Sequence, residues 1–386
     1  MDLSSMLQRE DFFKILQLTI PTYYKNAHKK DVVFTYVPTV GCEPLIINRI
    51  LSFISRPFIC KGLYTFLNSE YNIRSSILKY IIGKCAVNII SIFPCIGRVK
   101  TAYITEGVLG KNEFINPQNR SIRIFNYDTQ TVDCIIKYGF TDKYFQNQLN
   151  FRKQTHFDFI PRLIDHGENW FREPILVGNP LARVINEADY LQGLADAFVY
   201  VGQIISETKQ RTDLIEYSCE LELKLLKLIA EAELRKNIKF SYEIRRIIKR
   251  SIELIKLSNL DFYTSVSHGD LQTGNIWLDN EKKTWIYDWE TVGRRSIWYD
   301  VSVLGYSLRR PLGWKELIST NDYSLMLRFD DFRNYSEKEI LVIKRIILLE
   351  DILFYLEDML ELPEDWGNWI FDGFCERILP LFQSDL

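Results

Sequence analysis

The chain has 386 residues, of which 47% are apolar, 14% are aromatic and 25% are charged, and its formal net charge is −2. This composition excludes intrinsic disorder and collagen-like structure and is typical of a globular protein with a sizeable core. At about 100 to 200 residues per domain, the length predicts two or three structural units.

No stretch of the sequence predicts a membrane span. The longest run without a charged residue extends from residue 85 to 97, whereas a spanning helix needs about 20 apolar residues. The first residues lack the basic segment and apolar core of a secretion signal, so we expect a cytoplasmic protein. The seven cysteines form no CxxC pair and the four histidines have no zinc-site spacing, so we expect neither a disulfide framework nor a transition-metal enzyme.

Residues 1–100 combine short apolar runs with 13 Lys and Arg against six Asp and Glu, a net charge of +7. We interpret them as a mostly helical N-terminal accessory extension. The positive charge leaves open a peripheral contact with a membrane surface or an acidic partner. A packed extension with solvated basic side chains is the simpler interpretation, because the charges do not collect on one helical face.

Residues 101–180 predict a small β-rich lobe. The runs 121–127 and 132–137 are rich in β-forming residues and flank the polar turn 128–131, so they predict a hairpin. Residues 175–177 predict another short strand, which ends at the Gly-Asn-Pro sequence that follows.

Residues 181–386 predict a larger helical lobe. Apolar residues recur at three- and four-residue steps from 191 to 205, from 214 to 236 and from 242 to 257. Ser336 and Glu339 have the spacing of a capping box that opens a helix to about residue 361. The predicted fold class is therefore α+β, with a β-rich lobe before a helical one.

The residues most indicative of chemistry lie between 267 and 290. Asp270 and Asn275 are five residues apart in a polar, glycine-containing loop, and Asp288 follows the predicted hairpin of residues 275–278 and 284–287. This is the spacing of a phosphotransfer site. There the first Asp accepts the proton of the attacking hydroxyl, while the Asn and the second Asp hold Mg²⁺ against nucleotide phosphates.

This segment resembles the aminoglycoside phosphotransferase and choline kinase superfamily, whose signature is HGDxxxxN followed by Asp-Trp. His268 to Asp270, Asn275 and Asp288 match the signature. The resemblance implies a two-lobed protein-kinase-like fold, with nucleotide bound in 101–180. It also implies that His268 organises the loop and that Asp300 braces it.

The resemblance also suggests residues for the nucleotide. Lys137 looks like the lysine on the third strand of kinase-like folds, which contacts the phosphates. Strand alternation places Ile135 on the same face, where it could line an adenine pocket. Gly107 and Gly110 lie in a loop that would either cover the phosphates or form a plain turn. Val177 lies where the interlobe segment offers backbone groups to the adenine.

The expected partner of Lys137 is missing. A Glu should follow about ten residues later, but residues 144–150 contain no carboxylate. Three explanations stay open: Gln146 or Gln148 substitutes weakly, a Glu from elsewhere serves, or nucleotide is held poorly.

The charge of the acceptor is also open. Seven acids and no base occur between residues 350 and 365, and Glu350, Glu357 and Glu361 fall near one helical face. Together with Trp366 they could attract an amine, or they could form a solvated acidic face. Four arginines suggest an anionic acceptor instead, namely Arg294, Arg295, Arg309 and Arg310.

The sequence therefore predicts a Mg²⁺-dependent small-molecule phosphotransferase. Its partners would be ATP or GTP and a small hydroxyl acceptor such as an aminoglycoside, an amino alcohol or a sugar; we expect no nucleic acid partner. A protein kinase is disfavoured because Asp300 follows Asp288 by only twelve positions, which leaves little platform for a peptide. The alternative is a catalytically inactive kinase-like scaffold that binds a partner.

Overall fold

The computed structural model of the chain describes residues 3–70, 77–140, 142–235, 238–329, 335–362 and 364–385. The chain divides into two units. Unit 1 consists of Met1–Ala195 and Thr273–Asp288, and unit 2 consists of Asp196–Gln272 and Trp289–Leu386.

The helices and strands follow in chain order. The helices are α1 (Leu3–Arg9), α2 (Phe12–His28), α3 (Lys61–Glu70), α4 (Ile77–Ile92), α5 (Lys143–Gln154), α6 (Glu187–Thr208), α7 (Leu214–Arg235), α8 (Ser241–Lys256), α9 (Tyr299–Gly305), α10 (Gly313–Ser319), α11 (Glu337–Glu361) and α12 (Glu364–Ile378). The strands are β1 (Phe34–Thr35), β2 (Cys42–Asn48), β3 (Phe53–Ser55), β4 (Arg98–Thr105), β5 (Glu113–Pro117), β6 (Ser121–Asn126), β7 (Thr131–Ile136), β8 (Asp165–His166), β9 (Trp170–Pro174), β10 (Gly178–Pro180), β11 (Gln210–Arg211), β12 (Tyr263–Ser267), β13 (Ile276–Asp279), β14 (Thr284–Ile286) and β15 (Gly293–Ser296).

Unit 1 is built on a nine-stranded antiparallel sheet in the order β1-β4-β2-β3-β5-β6-β7-β9-β8. A second sheet, in the order β10-β13-β14, carries the hairpin predicted around residues 275–287. The predicted hairpin of β6 and β7 is confirmed, with Arg123 opposite Cys134 and Phe125 opposite Val132. The predicted fold class, α+β, is confirmed, because unit 2 is mostly helical.

Helices cover both faces of the large sheet. On one face, Leu16 and Ile20 of α2 pack with Ile47 and Ile135 of the sheet. On the other face, α3 and α4 pack against Phe114 and its neighbours. Leu45, Ile46 and Ile47 of β2 are all buried, so this part of the strand does not alternate between apolar and polar residues.

The predicted mostly helical character of residues 1–100 is confirmed by α1 to α4, but the segment also supplies β1, β2 and β3 to the sheet. The sequence did not predict these strands, because the run 45–51 lacks the two-residue alternation of a half-buried strand. The boundary predicted at residue 100 falls within β4, which pairs with β2 along its length.

The prediction of a strand at residues 175–177 is wrong. This segment leaves β9 to join β10 in the second sheet, and its backbone groups bond elsewhere. The Ile175 N–H donates to the Gln130 carbonyl at 2.9 Å, and the Val177 carbonyl accepts from the Asn280 N–H at 3.0 Å.

Unit 2 contains the helices predicted from their apolar periodicity. α8 buries Ile244, Ile248, Ile252 and Ile255 on one face. The capping box of α11 is confirmed: the Ser336 hydroxyl accepts from the Glu339 N–H at 3.3 Å, and the Glu339 carboxylate accepts from the Ser336 N–H at 2.8 Å. Its remaining strands form a sheet in the order β11-β12-β15. Across the described residues of both units, no helix has both the length and the apolarity needed to cross a bilayer.

A buried polar cluster fastens α2 to the large sheet. The Tyr23 hydroxyl donates to Asp133 of β7 at 2.5 Å, and Arg172 of β9 donates to the same carboxylate at 2.6 and 2.9 Å. Burial, followed by the Asp133 charge, raises the pKa of Tyr23, so the phenol stays a donor. The position of α2 on the sheet therefore depends on Tyr23.

We expect Tyr23→Phe to lower the free energy of unfolding by about 1.5–3 kcal/mol, because it removes a buried hydrogen bond to a charged acceptor. Urea denaturation measures the change. The matched control is Tyr242→Phe, which alters an exposed tyrosine of α8 and should change stability by no more than about 0.5 kcal/mol. Equal effects of the two substitutions would show that the cluster does not fasten the helix.

Candidate active site

Unit 1 contains a cavity of about 810 Å³, a size typical of small-molecule sites. Asn275 and Asp288 line it together with Arg123, Glu173 and residues 174–180. Residues of α3 and α4 line it as well, so the N-terminal hundred residues contribute to its wall. Two of the residues predicted to hold Mg²⁺ are thus brought to one cavity.

The β13–β14 hairpin positions Asn275 and Asp288. Ile276 pairs with Ile286, so the residues before and after this pair lie at the same open end of the hairpin. The Tyr287 N–H donates to the Asn275 carbonyl at 3.1 Å and extends the pairing by one step. Asp288 then takes a φ of +67°, a left-handed conformation that Asp adopts more readily than most residues.

The donors on the cavity wall fit magnesium. Asn275 supplies an amide oxygen and Asp288 a carboxylate, and Mg²⁺ typically binds one or two protein oxygens together with substrate phosphates and water. Within the ranges that the structure describes, no group of three or more His, Cys, Asp or Glu side chains could hold a metal ion. A metal that arrives with a phosphate ligand needs no such group.

The segment from β9 to β10, which includes Val177, forms one wall of the cavity. Gly178, which follows it, is required by close packing: an added Cβ would lie 2.1 Å from the Leu278 carbonyl oxygen of β13. The cavity wall therefore depends on a glycine at the first position of β10.

Lys137 and Ile135 do not line this cavity, contrary to the prediction. The Lys137 side chain is fully buried, and its Nζ lies 2.6 Å from Oε1 of Glu10 and 3.1 Å from the Asn119 carbonyl. Ile135 is buried in the core that α1 and α2 form with the sheet. Strand alternation placed both residues on one face correctly, but that face is the one covered by the N-terminal helices. Of the three explanations left open for the partner of Lys137, the structure shows a Glu from elsewhere, Glu10.

Gly107 and Gly110 do not line the cavity either. They lie between β4 and β5, which are not neighbours in the sheet, and the Gly110 N–H donates to the Glu113 carboxylate at 2.6 Å. Asn116 of β5 and Gln118 of the turn that follows it line the cavity instead.

Arg123 of β6 is a cavity residue that the sequence analysis missed. The signal was available, because Arg123 alternates with Ile122 and Ile124, both of which are buried in the core on the opposite face. The sequence analysis instead predicted that Lys137, at the end of the neighbouring strand, is the cation that contacts the phosphates.

In unit 2, the loop of residues 267–272 is braced from α9. The Asp300 carboxylate accepts from the N–H groups of His268 and Gly269 at 2.6 and 3.0 Å. The Thr291 hydroxyl donates to the His268 carbonyl at 2.9 Å. The His268 Nδ1 in turn accepts from the Asp270 N–H at 3.2 Å. These bonds fix the backbone that carries Asp270.

The Asp270 carboxylate is oriented by two donors. Nε of Arg309 donates to one oxygen at 2.7 Å, and the Gln272 amide donates to the other at 2.9 Å. Arg309 also bonds Asp351 and donates to the Gly269 carbonyl at 3.0 Å. Burial lowers the pKa of Arg309, but the charges of Asp351 and its other neighbours outweigh this effect and raise it well above its usual value. Arg309 therefore stays charged.

The acids predicted to form an acceptor wall have separate partners. Glu350 is almost fully buried and accepts from the Ser296 N–H and hydroxyl at 2.6 Å and from the Tyr217 hydroxyl at 2.5 Å. Burial raises the pKa of Glu350 even though these bonds favour its charged form. Glu357 pairs with Lys224 at 2.9 Å. Glu361 lies one turn later on α11, and the side chain of Trp366 lies outside the described residues.

No family model matches the chain, and no curated protein matches it. Among solved structures, an ethanolamine kinase from Plasmodium vivax is 13% identical and has a TM-score of 0.48; the match covers 85% of this chain and 96% of that one. A choline/ethanolamine kinase family protein from Mesorhizobium loti is 12% identical, with 73% and 92% covered and a TM-score of 0.47. A spectinomycin phosphotransferase in complex with ADP and spectinomycin is 15% identical, with 73% and 92% covered and a TM-score of 0.40.

The tight packing around Gly269 gives a prediction for the loop. Gly269 has a φ of +86°, and an added Cβ would lie 2.5 Å from the Thr291 carbonyl oxygen. We expect Gly269→Ala to cost about 1–2 kcal/mol for the left-handed backbone and about 1–3 kcal/mol more for the overlap. Urea unfolding measures the sum.

The matched control is Gly107→Ala. Gly107 has a similar φ of +74°, but nothing lies within 4 Å of an added Cβ, so this substitution should show the backbone cost alone. If the two variants lost equal stability, the contact with Thr291 would not constrain the loop.

Proposed function

We propose that this protein is a small-molecule phosphotransferase, which transfers the γ-phosphoryl group of ATP or GTP to a hydroxyl of an aminoglycoside, an amino alcohol or a sugar-like acceptor. The observation that carries the proposal is the placement of Asn275 and Asp288 on one cavity of suitable size. The orientation of Asp270 by Arg309 and Gln272 supports it.

In the proposed reaction, the nucleotide occupies the cavity of unit 1. Asn275 and Asp288 would hold Mg²⁺, which neutralises phosphate charge when bound. Asp270 accepts the proton of the acceptor hydroxyl as its oxygen attacks the γ-phosphorus, and the bond to the β-phosphate oxygen breaks. Arg309 and Gln272 restrict the rotation of the Asp270 carboxylate, so less ordering remains for the transition state.

His268 and Asp300 serve this reaction indirectly. Each bonds to the backbone of the loop, so we assign them positioning roles. Asp300 satisfies two N–H groups that would otherwise be buried without an acceptor, which keeps the loop in one conformation.

The two aspartates should fail in different ways. Asp270→Asn removes the proton acceptor, so turnover should fall by about 10²–10⁴-fold while Mg-ATP binding persists. Asp288→Asn removes a charge from the metal site, so the Mg²⁺ concentration needed for half-maximal rate should rise. Initial rates are measured on a panel of aminoglycosides, choline, ethanolamine and simple sugars, and ATP binding is followed by thermal shift.

Asp261→Asn is the matched control, because Asp261 is an exposed residue of unit 2 whose carboxylate pairs with Arg211 at the surface. It should leave rate and binding unchanged. Wild-type turnover by Asp270→Asn would refute the proposed mechanism. If Mg-ATP and Mg-GTP failed to stabilise the wild-type protein, the inactive scaffold would be favoured, since a ligand at 100 times its Kd adds about 2.7 kcal/mol to stability.

We also propose that the N-terminal region makes a peripheral contact with anionic membranes. Helix α4 buries Val87 and Ile90 in unit 1, yet it exposes a second apolar stripe consisting of Leu78, Ile81, Ile82, Ile89 and Ile92. Residues 77–105 contain four Lys and Arg but no Asp or Glu. An apolar surface next to positive charge suits an anionic lipid surface.

Vesicle sedimentation tests this contact. We expect the protein to bind vesicles containing phosphatidylserine more strongly than neutral vesicles, and Ile82→Asp/Ile89→Asp to reduce that binding at least severalfold. Leu234→Asp, at an exposed leucine of α7, should leave binding unchanged. Equal affinity for both kinds of vesicle, or a dimer that the Ile82→Asp/Ile89→Asp variant disrupts, would contradict the membrane contact.

A further inference from the structure

The cavity of unit 1 requires a cation if it holds nucleotide phosphates. Lys137, the residue expected to supply it, is enclosed by the N-terminal helices and paired with Glu10. Both side chains are at least 95% buried, so moving the lysine to the cavity would break a buried ion pair, which is strongly unfavourable. The phosphate contact must come from another residue.

Arg123 lies on the face of the β6–β7 hairpin that borders the cavity. Its cross-strand neighbour is Cys134, and the next pair on the same face is Phe125 and Val132. Phe125 and Val132 also line the cavity. Residues two apart on a strand are separated by about 7 Å. The apolar patch of Phe125 and Val132, which could contact the nucleotide base, therefore lies about 7 Å along the strands from the Arg123 guanidinium, which could contact a phosphate.

The Arg123 side chain is not committed to a protein partner in the way that Lys137 is. Its Nε is buried and has no hydrogen-bond partner among the described residues. Glu173, which shares the cavity wall, is bonded by Nη1 of Arg152 at 2.6 Å. A buried donor without an acceptor is costly, and an anion in the cavity would satisfy it.

Electrostatics link Arg123 to the metal-binding residues. Burial lowers the pKa of Arg123, but the nearby Cys134, Asp288 and Glu173 outweigh this effect and raise it above its usual value. The guanidinium is therefore charged and within electrostatic range of Asp288. Lys84, another cation on the cavity wall, bonds the Asn68 carbonyl at 2.6 Å.

We propose that Arg123 on β6, instead of Lys137 at the end of β7, forms the cationic site that binds the phosphates of the nucleotide. The proposal rests on the proposed function, because it assumes that the cavity takes a nucleoside triphosphate. A guanidinium is suited to this role: it is planar, stays charged and donates two parallel hydrogen bonds to phosphate oxygens. The buried pair of Lys137 and Glu10 then has a structural role only.

Calorimetric titration of the full chain with ATP and with adenosine tests the proposal. We expect Arg123→Met to weaken ATP binding by about ten- to hundredfold and to leave adenosine binding within twofold of wild type. Arg123→Lys should restore part of the ATP affinity, since it keeps the charge without the paired donors. Arg123→Met removes a buried donor that has no acceptor in the part of the chain that the structure describes, so we expect the variant protein to fold.

Two controls separate the proposal from its alternatives. Lys61→Met removes an exposed cation of α3 that does not line the cavity and should leave ATP affinity unchanged. Glu10→Gln/Lys137→Met removes both charges of the buried pair and should leave the ratio of ATP affinity to adenosine affinity unchanged. If that ratio fell as far as it does in Arg123→Met, Lys137 would be the residue that contacts the phosphates, and the proposal would be overturned. Wild-type ATP affinity in Arg123→Met would also overturn it, while the proposed function would stand. Failure of wild-type protein to bind ATP would instead refute the proposed function, and with it the premise of the proposal.

Discussion

The buried ion pair between Glu10 and Lys137 determines which face of the large sheet is core and which is available to a ligand. An ammonium group at the end of β7 cannot be buried without a counter-charge, and Glu10 supplies one from the chain between α1 and α2. Asp133 and Ile135 lie on the same face of β7, and they contact α2 and its core. Because successive side chains of a strand point to opposite faces, the other face of the β6–β7 hairpin, which carries Arg123, borders the cavity.

This arrangement makes the N-terminal hundred residues part of the core and the sheet of unit 1. Two polar links, one through Glu10 and one through Tyr23, tie the first helices to β7. β2 and β3 complete the sheet beside β4 and β5. Because the core and the cavity share the β6–β7 hairpin, the packing of α1 and α2 on one face fixes the position of the cavity residues on the other.

The sequence was most informative where function and local structure depend on neighbouring residues. The hairpin that ends at Asp288, the capping box at Ser336 and the apolar stripes of the helices were all predicted, because spacing alone encodes them. The role of Lys137 was not predictable, since its partner Glu10 lies 127 residues earlier. Alternation tells which residues share a face of a strand but not which face another segment will cover.

The numbers of acidic and basic residues do not predict the charge of the acceptor, for the same reason. Arg309 and Arg295 suggested an anionic acceptor, yet Arg309 is committed to Asp270 and Asp351, and Arg295 donates to the Thr291 carbonyl at 3.1 Å. Glu350 suggested a cationic acceptor, yet its oxygens are used within unit 2. Each of these groups is used by hydrogen bonds inside unit 2, so the number of charged residues does not indicate the charge of an acceptor. In the proposed phosphotransferase, discrimination between acceptors would then depend on shape and on hydrogen bonds to the hydroxyl groups of the acceptor.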